Sequence, residues 1–313
     1  MRILIYGLSK SGTTILHTMV KASLENHLGT GIQEVFEPFE IFEESDGVRY
    51  AKEGISSNIK SSKNEIVKAL LDSGITPQKV LSFQKYFDKK IFIVRDPRDR
   101  FVSQIFYRWH WVHRPDKEKF IRTLRLVKYK EDNPKDIPCI FLFNQNPNFY
   151  PAFSKKMLDT YDRVMKFLGR ASQDWFILKY EDLIDGNVEK LEEYLSFPIR
   201  KNVSVNKNYK GVVRSKAHGN WRKWYSQEDV VFFKPIFKKY IKYLKYDSSD
   251  WKLEYPEYLP KAHGSEYMLR IFPEGKAELK AIPETLRISA ENRNIGIGLR
   301  DRFSKIFRAI KLK

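Results

Sequence analysis

Met1-Arg2-Ile3-Leu4-Ile5-Tyr6-Gly7-Leu8-Ser9-Lys10-Ser11-Gly12-Thr13-Thr14-Ile15-Leu16-His17-Thr18-Met19-Val20 is the stretch that decides the fold. Residues 3–6 form a short apolar run with the make-up of a buried strand. A polar turn carrying Gly7 and Gly12 follows, and Ile15, Leu16 and Met19 then take up helical spacing. Strand, glycine turn and helix start together make a cradle for an anion. The unpaired N–H groups of the helix's first turn, and the positive end of its dipole, face the turn. The competing reading is an ordinary strand-to-helix turn rich in small residues.

A nucleotide-binding loop of the form G-x-x-x-x-G-K-[ST] has the same glycine spacing, but here Thr13 follows the second glycine and the lysine stands earlier, at Lys10. The hydroxyls of Ser11, Thr13 and Thr14 add donors to the backbone N–H groups. In this the stretch resembles the 5′-phosphosulfate loop of sulfotransferases that use 3′-phosphoadenosine 5′-phosphosulfate (PAPS). The resemblance implies that Lys10, Ser11, Gly12, Thr13 and Thr14 hold the phosphosulfate, with Lys10 also acting in catalysis.

Residues 89–103 form the second strong stretch. The apolar run Ile91-Phe92-Ile93-Val94 predicts a central parallel strand, which places Arg95 at its carboxyl end, where open α/β sheets bind ligands. Asp96-Pro97 then turns the chain into a helix that carries Ser103. A guanidinium and a hydroxyl converging on a phosphate make chemical sense. Strand then R-D-P-R-D-x-x-V-S resembles the 3′-phosphate motif of the same family, which implies that role for Arg95 and Ser103. The other reading, Asp96 as a magnesium ligand, is disfavoured by the arginine before it and the proline after it.

Further matches follow in order. Residues 175–183 read as a buried strand ending in Tyr180-Glu181-Asp182-Leu183, and in the family this tyrosine lies near the adenine; a core tyrosine is the alternative. In the basic loop at residues 206–224, Arg214, Gly219 and Trp221 keep the register of the family's R-K-G-x-x-G-D-W-K, while Ser215, Lys216 and Asn220 depart from it. Arg214 carries over as a phosphate ligand, and Ser215 and Lys216 retain donors.

For a general base, Glu37 stands out. It precedes Pro38, which biases it to extended backbone and fixes its direction. Carbohydrate and tyrosyl-protein sulfotransferases have a glutamate beyond the first helix as the proposed base, and the former often carry it as Glu-Pro. Glu34, Glu40 and His17 are the other candidates.

The 313 residues suffice for a large core, and lysine and arginine exceed aspartate and glutamate by 57 to 39, a formal charge of +18 that implies an acidic partner. No stretch approaches the roughly 18 apolar residues needed to span a bilayer. The first residues do not resemble a secretory signal, and the single cysteine, Cys139, excludes an internal disulfide, so cytoplasm is the expected compartment.

Elsewhere, residues 64–72 have the composition of a short helix, residues 45–63 read as loop with one extended piece, and residues 107–148 look irregular. That last stretch is rich in aromatic and basic side chains that suit sugar stacking or a hydrophobic cap. Proline-punctuated residues 253–275 predict extended chain. At residues 299–313, Leu299, Phe303, Ile306, Phe307 and Ile310 share a helical face among basic residues. Such a helix suits an anionic membrane surface, an acidic partner, or docking on the chain's own core or a second subunit.

The whole set predicts a three-layer α/β/α sandwich with a central parallel sheet, of the P-loop nucleoside-triphosphate-hydrolase-like kind. Residues 1–252 are expected to form a sulfotransferase domain and residues 253–313 an extension. The implied enzyme moves a sulfuryl group from PAPS to an acceptor hydroxyl, a carbohydrate being favoured, with no metal required and no specific nucleic acid as partner. The rivals are a P-loop kinase of small molecules using magnesium and a non-catalytic polyanion-binding protein.

Overall fold

The computed structural model describes residues 1–29, 31–44, 47–51, 59–110, 117–203 and 213–271. It divides into two units, Met1–Asp96 with Asp159–Lys210, and Pro97–Leu158 with Gly211–Lys313. The helix expected at residues 299–313 falls outside the described residues.

The first unit is built on strands β1 (Arg2–Gly7), β2 (Gln33–Phe36), β6 (Glu65–Leu70), β7 (Lys89–Val94) and β8 (Trp175–Lys179). They pair in parallel in the order β2-β6-β1-β7-β8. Side chains alternate across the sheet. Ile3, Ile5, Ile91 and Ile93 pack with Leu16, Val20 and Leu24 of α1 (Thr13–Leu28) and with Leu183 and Leu191 of α7 (Tyr180–Asp185) and α8 (Glu189–Leu195). On the opposite face, the Phe167 ring lies 5.2 Å from Tyr6, 4.9 Å from Phe92 and 5.1 Å from Trp175. Phe167 belongs to α6 (Tyr150–Leu168), within which the boundary between the units falls. Covering both faces explains why these parallel strands are continuous apolar runs, and it yields the expected three layers.

Residues 64–72, expected as helix, form the interior strand β6. All six of its side chains are buried, including the polar Glu65 and Lys68, which broke the apolar run in the sequence. Each polar group has partners: Glu65 accepts from Tyr50 Oη (2.7 Å), on another strand, and from the nearby Ser62 N (2.9 Å). Those partners make burial tolerable. The expected loop at residues 45–63 holds β4 (Gly47–Ala51) and β5 (Ile59–Lys60), which complete a small antiparallel sheet with β3 (Glu40–Glu44) just before it. A short helix, α2 (Pro77–Phe83), leads into β7, capped by the Thr76 side chain.

The second unit is helical. It contains α3 (Pro97–Tyr107), α4 (Lys117–Asp132), α5 (Cys139–Phe143), α9 (Trp221–Trp224), α10 (Gln227–Tyr243) and α11 (Ser265–Ile271). Residues 107–148 are therefore more regular than expected: Phe120, Leu124 and Val127 recur along one buried face of α4. Ser226 and Asp229 form a capping box at the start of α10. Residues 265–271, expected as extended chain, are helical, and Tyr267 and Met268 are buried where α11 packs on α3 and α4. Cys139, the single cysteine, is buried. Among the described residues no helix is long and apolar enough to cross a membrane.

Candidate active site

The cradle forms at the carboxyl end of β1. Gly7 pairs across to Leu70 and Ile93, so β6 and β7 flank it closely. A Cβ on Gly7 would stand 2.6 Å from the Ile93 carbonyl oxygen, which explains the glycine there. The loop rises through Lys10, at φ 63°, and descends through Gly12, at φ 91°. Such left-handed backbone is costly for lysine and natural for glycine. No side chain caps α1 at Gly12; its first N–H groups therefore open toward the turn. Around this arch, Asp72 accepts from Ser9 N (2.8 Å) and Ser9 Oγ (2.6 Å), and Arg95 Nη1 donates to the Lys10 carbonyl (3.0 Å).

Tyr180 opens α7 at the end of β8, buried against the loop. Its ring lies so near Gly12 that a Cβ there would meet Tyr180 Cδ2 at 2.3 Å, and the Arg95 guanidinium stacks 4.1 Å from the ring centroid. Arg95, Tyr180 and the loop thus form one packed group in the first unit. Glu181 accepts from Asp96 N (3.0 Å), joining the ends of β7 and β8; within this group Asp96 is held through its backbone.

Beside the cradle, Lys68 extends from β6. Its Nζ donates to Thr14 Oγ1 (3.1 Å) and forms an ion pair with Glu37, while lying 4.0 Å from the Phe36 ring centroid. Burial pushes the Lys68 pKa down, and the Glu37 carboxylate opposes that shift. Lys68 is 2 % exposed, whereas the Glu37 side chain is 29 % exposed. Glu37 itself has φ 50°, not the extended backbone that the following proline favours. Its N–H donates to the Lys68 carbonyl (2.8 Å), and Phe39 N donates to the Ala51 carbonyl (2.7 Å), so both sides of this kink are fastened. A fastened left-handed glutamate is the kind of backbone strain that collects at functional sites.

The other base candidates stand differently. Glu34 pairs with Lys21 and Glu40 with Lys79. His17 is buried edge-on against Phe36, with Nδ1 3.7 Å from Glu34 Oε1 and Nε2 enclosed. Burial pushes its pKa down to about 4, against the smaller upward pull of Glu34, so the imidazole is neutral near pH 7.

In the second unit Ser103 is buried on α3. The loop before α9 is held by Asp99, whose carboxylate accepts from Trp221 N (3.0 Å) and from Gly219 N. Arg98 stacks on Trp221 and Trp251, at 4.2 Å and 5.0 Å from the ring centroids. Arg214 is buried, with Nη1 donating to the His263 carbonyl (3.3 Å). Ser215 Oγ is enclosed with no hydrogen-bond partner among the described residues, and Lys216 is exposed. Lys10, Ser11, Gly12, Thr13, Thr14, Arg95 and Tyr180 are brought together in the first unit, beside Glu37. Ser103, Arg214, Ser215 and Lys216 belong to the second.

Lys68 was missed by the sequence reading, as was the anchoring role of Asp99. A lysine flanked by Val67 and Ala69 was the available signal for the first, since a charged side chain inside an apolar strand demands a partner.

The glycine arch, the start of α1 and Arg95 thus stand together at the carboxyl ends of a central parallel sheet flanked by helices. The family model for the sulfotransferase domain matches residues 1–253. The chain belongs to the sulfotransferase family and is a transferase of that kind. Among solved structures it is similar to the sulfotransferase domain from the curacin biosynthetic pathway, at 15 % identity and TM-score 0.41, covering 81 % of this chain and 98 % of that one. A search of curated proteins returned no match.

Proposed function

We propose that this chain transfers a sulfuryl group from PAPS to a hydroxyl of a carbohydrate acceptor, with Glu37 as general base. The carrying observation is Lys68, which bridges Thr14 of the cradle and the Glu37 carboxylate. One ammonium thereby sets the base beside the group-transfer loop. The cradle fits an anionic donor by its own geometry: a side chain at Gly12 would collide with Tyr180, and the helix start has no side-chain cap.

PAPS supplies a sulfuryl group already activated by a phosphate leaving group. In the transfer the acceptor oxygen bonds to sulfur as the bond from sulfur to the phosphate oxygen breaks, and the acceptor proton passes to Glu37. Lys10, the N–H groups of residues 11–14 and the hydroxyls of Thr13 and Thr14 stabilise charge on the departing oxygen; such preorganised donors are worth about 10²- to 10³-fold each. Arg95 and Ser103 take the 3′-phosphate role that the family resemblance gives them, Arg214 carries over as a phosphate ligand, and Ser215 and Lys216, which depart from the family motif, retain donors. Glu37 is preferred to His17 because its carboxylate reaches solvent while the histidine is enclosed. Phe39, two residues on and 61 % exposed, offers a face on which a sugar ring can stack.

The test is Glu37→Gln assayed with PAPS and a panel of sugar acceptors. Loss of base catalysis lowers kcat by about 10²- to 10⁴-fold, while affinity for adenosine 3′,5′-bisphosphate stays that of the wild type. Full turnover by the variant would remove Glu37 from the mechanism.

A further inference from the structure

The family-matched stretch ends at residue 253, yet the chain beyond it is fastened to the loop that carries Arg214. Three contacts seat residues 259–265 on α4, all through Glu131. Its carbonyl accepts from Leu259 N (2.7 Å), Oε1 accepts from Ser265 N (2.6 Å), and Oε2 accepts from Ser265 Oγ (2.7 Å). Gly264 passes so close that a Cβ there would stand 2.2 Å from Glu131 Oε1. Glu131 is fully buried, and a buried carboxylate is retained only where donors meet it.

From that seat two contacts reach the loop. Arg270 Nη2 of α11 donates to the Val213 carbonyl (2.8 Å), and Arg214 Nη1 donates to the His263 carbonyl (3.3 Å). The Arg270 guanidinium also lies 5.0 Å from the Tyr267 ring centroid, which steadies its reach.

We propose that residues 259–271 are a brace for the donor-binding loop, with Glu131 seating the brace and Arg270 tying it to Val213. Both are positioning residues: Arg270 acts through the Val213 carbonyl, and Glu131 through the seated stretch whose His263 carbonyl meets the Arg214 guanidinium. The proposal rests on the donor assignment made above for Arg214. It adds that donor affinity depends on chain lying beyond the family-matched stretch.

Arg270 is exposed, so its truncation leaves the core intact. In the full-length chain, Arg270→Ala should raise hydrogen exchange at residues 213–216 by roughly tenfold, the size expected for one charged hydrogen bond. Exchange in α1 should stay unchanged. The same variant should raise the KM for PAPS and the Kd for adenosine 3′,5′-bisphosphate by a similar factor, with kcat at saturating donor unaltered. Arg270→Lys, which keeps a donor, should recover part of the loss, and Glu131→Gln, which keeps the side chain's shape, should weaken binding in the same sense. Wild-type exchange and wild-type affinity in Arg270→Ala would overturn the brace. If the wild type binds no adenosine 3′,5′-bisphosphate, the donor reading fails, and the exchange experiment still decides whether the brace exists.

Discussion

The two loops proposed for the donor owe their shapes to their own backbone in different measure. In the arch of the first unit, between Gly7 and Thr14, the loop's own backbone carries the shape, through a glycine pressed on Ile93, a left-handed lysine and a second glycine pressed on Tyr180, and Asp72 and Arg95 fasten it from other strands' ends. In the second unit, the loop from Val213 to Trp221 takes its shape from afar, through Asp99, Arg270 and the carbonyl of His263. The difference teaches where sensitivity lies. A self-shaped loop fails when its own residues change, and a braced loop fails when its distant supports do.

Glycine substitution breaks or sharpens that comparison most strongly. Gly12 and Gly219 both have positive φ, 91° and 73°, but a Cβ at Gly12 would collide with Tyr180, whereas one at Gly219 meets nothing within 4 Å. Gly12→Ala should therefore cost about 2–5 kcal/mol, adding overpacking to backbone strain, and abolish donor binding. Gly219→Ala should cost only the strain, roughly 1–2 kcal/mol. Urea unfolding of the two variants checks the ranking, and equal losses would show that the two loops are shaped alike.

A smaller contrast is expected from pH. His17 in the first unit is held neutral, its pKa pushed down to about 4, so the unfolded chain binds the proton more readily below about pH 6.5. Its contribution is present above pH 6.5 and is lost as pH falls toward 4. Asp229 in the second unit is fully buried, and burial pushes its pKa up to about 6. There the folded state binds the proton more readily, so acidification between about pH 6 and 4 stabilises it. Comparing wild type with His17→Phe isolates the first effect: the variant should escape about 2 kcal/mol of destabilisation between pH 6.5 and pH 5. Identical pH profiles would mean that His17 is not held neutral.

Much of the first loop was legible because its strand, glycines and helix start lie in one continuous stretch, although Asp72, Arg95 and Tyr180, which pack around it, lie far away in sequence. Apolar runs mark β1 and β7, glycines mark the arch, and the proline of Asp96-Pro97 marks the start of α3. Strand β6 was not legible, since Glu65 and Lys68 interrupt its apolar run and their partners Tyr50, Thr14 and Glu37 lie far away in sequence. With β6 misread, the bridge from Thr14 to Glu37 could not be seen. The left-handed backbone of Glu37 was equally hidden, because the following proline argued for the opposite. In the second unit, Arg214 could be placed by resemblance, but its support could not: Glu131 and Arg270 carry no motif and matter only through the contacts that folding gives them.

The most direct test of the donor assignment is a thermal-shift titration with adenosine 3′,5′-bisphosphate, run beside ATP with magnesium, on the wild type and on Arg95→Ala. At about 100 times its Kd the bisphosphate should stabilise the wild type by roughly 2.7 kcal/mol, and the shift should vanish in the variant. No shift with the bisphosphate, or an equal shift with ATP and magnesium, would contradict the account.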